Sequence, residues 1–168
     1  MVRRSRRGSP GYTLMEAMMT VAILGIVSAM GTGLFLRMYQ FYNQSDARTD
    51  VQRELRVILD GINRHVRQAS AATIYITENA NQPPYSKITF VTVDGSTVTY
   101  SQSGKSLIQS VNGGQLVMTK NLQYIAFSYP QTDINGVLSI SVTLQKNTYS
   151  GQSTALQMAI SKVRVMNP

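Results

Sequence analysis

From Ala17 to Leu36 the chain carries no charged side chain, and this run limits the possible folds more than any other feature. About 20 residues of helix, rising roughly 1.5 Å each, span about 30 Å, the thickness of a bilayer's hydrocarbon core. The run is therefore long enough to cross a membrane. Arg3, Arg4, Arg6 and Arg7 stand before it, and the cytoplasmic bias of basic flanks predicts that everything after the run lies outside the cytoplasm. A secretory signal peptide has the same order of basic and apolar parts, and Val27-Ser28-Ala29 would serve as a loose cleavage site for one. Two features argue against it: the run is long for a signal, and Glu16 lies at its start. A carboxylate costs about 2.5–3.5 kcal/mol at the centre of a membrane helix and less near its end. Glu16 calls for a partner.

Gly11-Tyr12-Thr13-Leu14-Met15-Glu16, followed by an apolar helix and preceded by a short basic leader, resembles the cleavage and methylation signal of type IV pilins and of the pseudopilins of type II secretion systems. The resemblance implies cutting after Gly11 by a prepilin peptidase on the cytoplasmic face, with Tyr12 becoming an N-methylated terminus. It also implies that Glu16 neutralises the terminal amine of a neighbouring subunit in a filament. Two charges that are each costly in lipid become tolerable when paired, and methylation leaves the amine its charge. Tyr12 stands where phenylalanine or methionine is commoner in that family, and Gly33 where many major pilins have a helix-bending proline. Glycine costs about 1 kcal/mol relative to alanine inside a helix, so Gly31 and Gly33 are expected to fray in an assembled filament. Gly25, Ala29 and Gly33 recur every fourth residue and form a small face suited to close helix approach.

With 168 residues the chain suits one modest domain plus an anchor. Its mean hydropathy of −0.09 includes the apolar run, so the remainder is markedly polar. Ser, Thr, Asn and Gln with interleaved Val, Ile and Tyr suit a small exported β-rich domain. The chain has no cysteine, so the domain must hold by packing alone, and thiol chemistry and cysteine metal sites are excluded. The formal charge of +8 overstates its basicity: without the leader's four arginines, Lys+Arg falls from 16 to 12 against 8 acids, a formal +4. Arg48, Arg53, Arg56, Arg64 and Arg67 are the one basic cluster, read as a solvated helix face or a subunit contact rather than a nucleic-acid site.

From Arg37 to about Ala71 no proline interrupts the chain, and Val51, Leu55, Ile58, Leu59, Ile62 and Val66 form one stripe at helical spacing. Arg53, Arg56, Asp60, Arg64 and Arg67 fall on the other side, with Asp60 and Arg64 set for an i,i+4 pair. The membrane helix is expected to run on into this amphipathic one, as a rod of about 58 residues. Met38, Tyr39, Phe41 and Tyr42, between span and stripe, suit a membrane interface or packing between subunits. Strands are then expected at residues 73–77, 87–93, 97–100, 105–111, 115–119, 121–129, 137–145 and 154–165, with a type I′ turn at Asp94-Gly95, a second hairpin at Asn112-Gly113-Gly114, and a turn at Asp133–Gly136. In the last strand the apolar phase switches between Ile160 and Val163, which predicts a bulge or twist there.

One long helix followed by antiparallel strands predicts an α+β fold, the helix laid on a sheet. Its parts would be a leader (1–11), a transmembrane helix (12–36), an amphipathic continuation (37–71) and an extracytoplasmic β-rich domain (72–168). Ile88-Thr89-Phe90 before Asp94-Gly95, Val98-Thr99-Tyr100, Leu107-Ile108, Asn121-Leu122 and Phe127-Ser128-Tyr129 resemble minor subunits, in particular the J-type pseudopilin and the W-type minor pilin. His65, the single histidine, reads as a surface residue between Arg64 and Arg67, and Asp94 as a turn cap. Asp133 and Asn135 offer few oxygens for calcium, and no phosphate loop, Ser-His-Asp set or matched carboxylate pair appears.

The expectation is a non-enzymatic filament subunit without cofactor or bound metal. Its partners would be a prepilin peptidase, other pilin or pseudopilin subunits, an inner-membrane assembly platform and membrane lipid; nucleic acid is not an expected partner. It would sit in a bacterial inner membrane, N-terminus cytoplasmic and C-terminal domain periplasmic, until assembled. Two alternatives remain open at this point. A DNA-uptake pilus subunit would show salt-dependent DNA binding by the soluble domain. A solitary membrane-anchored binding protein would start at Met1 or after Ala29 rather than at a methylated Tyr12.

Overall fold

Thr13 starts the first element. In the computed structural model, which describes residues 11–130, 136–148 and 154–167, the Glu16 N–H donates to Thr13 Oγ1 at 3.3 Å and the Ala17 N–H to the Thr13 carbonyl at 3.1 Å. Thr13 is thus the N-cap of α1, Leu14–Arg67. The chain divides into two compact units, Met1–Tyr42 and Asn43–Pro168. In the first, α1 is apolar on all sides, and its large side chains, such as Leu24, Val27 and Phe35, are exposed. Two hydroxyls within it are satisfied by the helix itself, Thr20 donating to the Ala17 carbonyl (2.8 Å) and Thr32 to the Ser28 carbonyl (3.1 Å). A helix that satisfies its own backbone groups and is long and apolar enough to cross a membrane meets the conditions hydrocarbon sets.

In the second unit, Ala47, Val51, Leu55, Ile58, Ile62 and Val66 of α1 are buried at steps of three and four residues, with Leu59 beside them. They meet two antiparallel sheets. The first joins β1 (Tyr75–Thr77), β2 (Lys87–Val91), β3 (Thr97–Ser103), β4 (Ser106–Val111) and β5 (Gly114–Thr119) in sequence order. The second joins β6 (Leu122–Ser128), β7 (Val137–Asn147) and β8 (Thr154–Arg164), also in order. Ile88, Phe90, Val98, Tyr100 and Leu107 face the core from the first sheet; Ile125, Phe127, Leu138, Ile140, Val142 and Leu144 do so from the second. The expected α+β layout is present, with the strands divided between two sheets rather than gathered in one.

Several local expectations change. Helix α1 ends at Arg67, where Gln68 and Ala69 N–H groups reach back only three residues, to the His65 and Val66 carbonyls. Ala71–Thr73 is a 3-10 turn instead of the start of a strand. There the Thr73 hydroxyl donates to the Ser70 carbonyl (2.8 Å) and accepts the Val91 N–H (3.0 Å), so a side chain takes the place of a ladder bond. At Asp94-Gly95 the hairpin forms, but only Gly95 has a positive φ, +77°. The Gly95 N–H donates to the Thr92 carbonyl and the Thr92 N–H to the Ser96 carbonyl, the pattern of a type I turn closed by a glycine bulge. Asn112 (φ +47°) and Gly113 (φ +89°) make the two-residue turn with both central angles positive.

No bulge interrupts β8: its pairing with β7 runs unbroken from Val137↔Arg164 to Asn147↔Thr154. The phase switch read from the sequence comes from Leu156, Met158 and Ile160 pointing outward, while Ala155 and Val163 face the core. Register shifts fall at Leu107/Ile108 and Leu122/Tyr124. Asp60 and Arg64 form no ion pair with each other among the described residues; Lys146 Nζ instead donates to Asp50 Oδ2 at 2.6 Å. The turn from Asp133, and with it the calcium suggestion on Asp133 and Asn135, lies outside the described residues.

Candidate functional site

Gly11 and Tyr12 precede the helix in an exposed stretch, with Tyr12 84 % exposed. A Cβ built on Gly11 would meet nothing within 4 Å. The fold itself therefore has no need of glycine there, and any requirement for it must come from something that grips the chain. Arg3, Arg4, Arg6 and Arg7 lie outside the described residues.

Glu16 is the third residue of α1, counted from the Thr13 cap. Thr13-x-x-Glu16 has the spacing of a capping box, in which the hydroxyl takes the N–H of the third residue and the carboxylate returns to the N–H of the cap. Only the first half is made. The Glu16 backbone N–H reaches Thr13 Oγ1, while its carboxylate is exposed and has no protein partner among the described residues. It sits over the positive end of the helix, which favours a negative charge by about 0.3–1 kcal/mol. The Thr13 cap was missed in reading the sequence; its signal is a threonine three residues before an acid at the head of an apolar run.

Gly25, Ala29 and Gly33 lie one turn apart on α1, and neither glycine would bring a new Cβ within 4 Å of another group. Two glycines inside a helix cost about 1 kcal/mol each relative to alanine, with no contact among the described residues to account for them.

His65 is the single imidazole, and the structure corrects its reading as a surface residue. It is half-buried, and its Nδ1 lies 2.6 Å from the hydroxyl of fully buried Tyr100. Burial pushes the phenol's pKa up, so Tyr100 keeps its proton, and the imidazole tautomer sets which of the two groups donates. Burial first and the Arg64 charge second hold the His65 pKa below its usual 6.5. The unfolded chain then takes up a proton at higher pH than the folded one. Stability is fully present above about pH 6.5 and declines as pH falls toward the lowered value. Thermal midpoints of the full chain in detergent should drop between pH 7.5 and 5.5, and His65→Gln should flatten that step.

Among the described residues no group of three or more His, Asp or Glu side chains is placed to hold a metal ion. Two shallow clefts lie in the second unit: one of about 300 Å³ lined by Lys105, Lys120 and Lys146 with amide side chains, the other of about 360 Å³ between Asp50, Val57 and Met118.

Residues 6–32 match the prokaryotic N-terminal methylation motif, the signal of type IV pilins and pseudopilins. The matched segment contains Gly11, Tyr12, Glu16, Gly25 and Ala29. Comparison with curated proteins gives no match.

Proposed function

We propose that this chain is a minor pilin-like or pseudopilin subunit: an inner-membrane precursor cut after Gly11, methylated at Tyr12 and assembled into a filament through α1. The observation that carries the reading is the methylation motif at residues 6–32, on a helix whose Glu16 carboxylate has no partner, and whose apolar surface no cover, among the described residues. Such a helix resides in lipid while the subunit waits and packs against other helices once assembled, where Gly25, Ala29 and Gly33 permit close approach. The basic leader would keep the N-terminus cytoplasmic and the β-domain on the far side. Likeness of the β-domain residues to J-type and W-type subunits supports a minor rather than a major subunit.

Intact mass of the membrane-extracted protein tests this. A mature chain beginning at methylated Tyr12 is expected; one still carrying the four leading arginines, or beginning after Ala29, would overturn the reading. Gly11→Leu should leave the precursor uncut in cells that hold the peptidase. Because a side chain at residue 11 clashes with nothing, misfolding would not explain that failure. Equal migration of Gly11→Leu and wild type on a gel would count against cleavage at this bond.

A further inference from the structure

A sheet edge exposes unpaired N–H and C=O groups, and soluble proteins usually shorten it, kink it, cover it or place charge on it. Three of the four edges here are managed in these ways. Strand β1 has three residues, and β5 is six residues long beside the register shift at Leu107/Ile108. The free side of β6 is taken up by Gln102, whose Oε1 accepts the Ile125 N–H, and by the Tyr85 carbonyl, which accepts the Phe127 N–H. Strand β8 differs. It is 11 residues long with unbroken register, and among the described residues it pairs along its length only with β7.

Its outward row reads Leu156, Met158, Ile160, Lys162, Arg164. The two basic residues guard one end. Leu156, Met158 and Ile160 are about 60 % exposed, leaving an apolar row beside an open backbone. Their neighbours on β7, Gln145, Thr143 and Ser141, are uncharged.

We propose that β8 is a docking edge for β8 of a second copy of this chain, paired antiparallel about Met158. In that register Leu156 of each copy lies opposite Ile160 of the other and Met158 opposite Met158, so the apolar row closes on itself. Lys162 falls opposite the neutral Thr154, and the two pairs of basic residues lie at opposite ends of the joint. Parallel pairing would instead set Lys162 and Arg164 beside their own copies, and like charges directly opposite are destabilising. The apolar row is self-complementary in this register, and the charge distribution along β8 selects the antiparallel over the parallel arrangement. The nine-residue segment 154–162 pairs, and Lys162 at its end is its one charged residue. This pairing is independent of leader cleavage.

The cysteine-free sequence makes the test direct, since any disulfide reports only the position introduced. Full-length Met158→Cys in native membranes, oxidised mildly, is expected to give a disulfide dimer, and Leu116→Cys, exposed on β5, is not. Leu156→Cys alone should stay monomeric, because its two copies would be about 13 Å apart in the proposed register, beyond disulfide reach. Chains bearing Leu156→Cys and Ile160→Cys, expressed together, should cross-link to one another. A monomeric Met158→Cys, or a Leu116→Cys that dimerises equally, overturns the docking edge. Dimers of Leu156→Cys alone overturn the antiparallel register. None of these outcomes depends on where the mature chain begins, so cleavage and docking fail separately.

Discussion

Glu16→Ala is expected to be cleaved normally after Gly11 and to yield almost no filament. Cleavage should survive because the substitution removes no contact from the folded chain: the Glu16 carboxylate touches nothing among the described residues, and the Thr13 cap uses the backbone N–H, which alanine keeps. Within one chain the loss is confined to the helix-end interaction, about 0.3–1 kcal/mol. Between chains it is far larger. On the proposed reading, the methylated amine of a neighbour is drawn into the apolar helix bundle, where an unpaired charge costs at least about 2.5–3.5 kcal/mol, and every added subunit incurs that cost again. Glu16→Gln separates charge from size, retaining side-chain volume and hydrogen bonding but failing as alanine does. Glu16→Asp should retain partial assembly because the charge remains. The measurement is the ratio of sheared filament to membrane-held mature subunit. Normal filament yield from Glu16→Ala would dispose of the pairing.

What could be read from the sequence followed the scale of the signal. The apolar run and the helical stripe from Val51 to Val66 repeat over many turns, so no single residue decides them, and strict alternation from Leu138 to Leu144 fixes β7 for the same reason. Single hydrogen bonds were not legible. Thr73 leaves the strand because its hydroxyl finds the Val91 N–H, a partner 18 residues away. His65 looked like surface between two arginines, and only the arrival of Tyr100 from β3 turned it inward. In β8 the outward row is as apolar as an inward one, so periodicity gave the two faces without saying which was covered. At the N-terminus the residues that stand out in sequence are those the fold leaves unused: Gly11, Glu16, Gly25 and Gly33 meet no group beyond the helix itself among the described residues. On the proposed reading their chemistry is directed at other molecules, so a motif reveals it where the fold of one chain does not.

Gln102 is the opposite case, inconspicuous in sequence and central in the fold, and its replacement should produce the largest stability loss of any polar substitution considered. Only 3 % exposed, it stands on β3 and reaches across to β6 of the other sheet. Its Nε2 donates to the Gly104 carbonyl (3.0 Å) and the Gln123 carbonyl (3.4 Å), and its Oε1 accepts the buried Ile125 N–H (3.3 Å). Its main chain is held as well, the N–H donating to the Ser86 carbonyl and the carbonyl accepting Asn79 Nδ2. The side-chain amide behaves as one peptide unit of a missing strand, joining two sheets that share no ladder. Gln102→Leu keeps the approximate volume and leaves the Ile125 N–H buried without a partner. An orphaned buried group costs about 1–3 kcal/mol, and the facing carbonyls add to it, so a loss of about 2–4 kcal/mol is expected. That is a large part of the roughly 5–15 kcal/mol typical of a domain. Gln102→Glu sharpens the test. Protonated, the acid can donate to a carbonyl and accept the Ile125 N–H; ionised, it buries a charge. Its folded pKa should be raised, so the variant keeps its stability below the usual carboxylate range and loses it as pH rises through the raised value. Urea or thermal unfolding of the full chain in detergent reads both effects. If Gln102→Leu costs less than about 0.5 kcal/mol, the scatter of ordinary surface changes, water must be satisfying the Ile125 N–H, and the amide is not what joins the sheets.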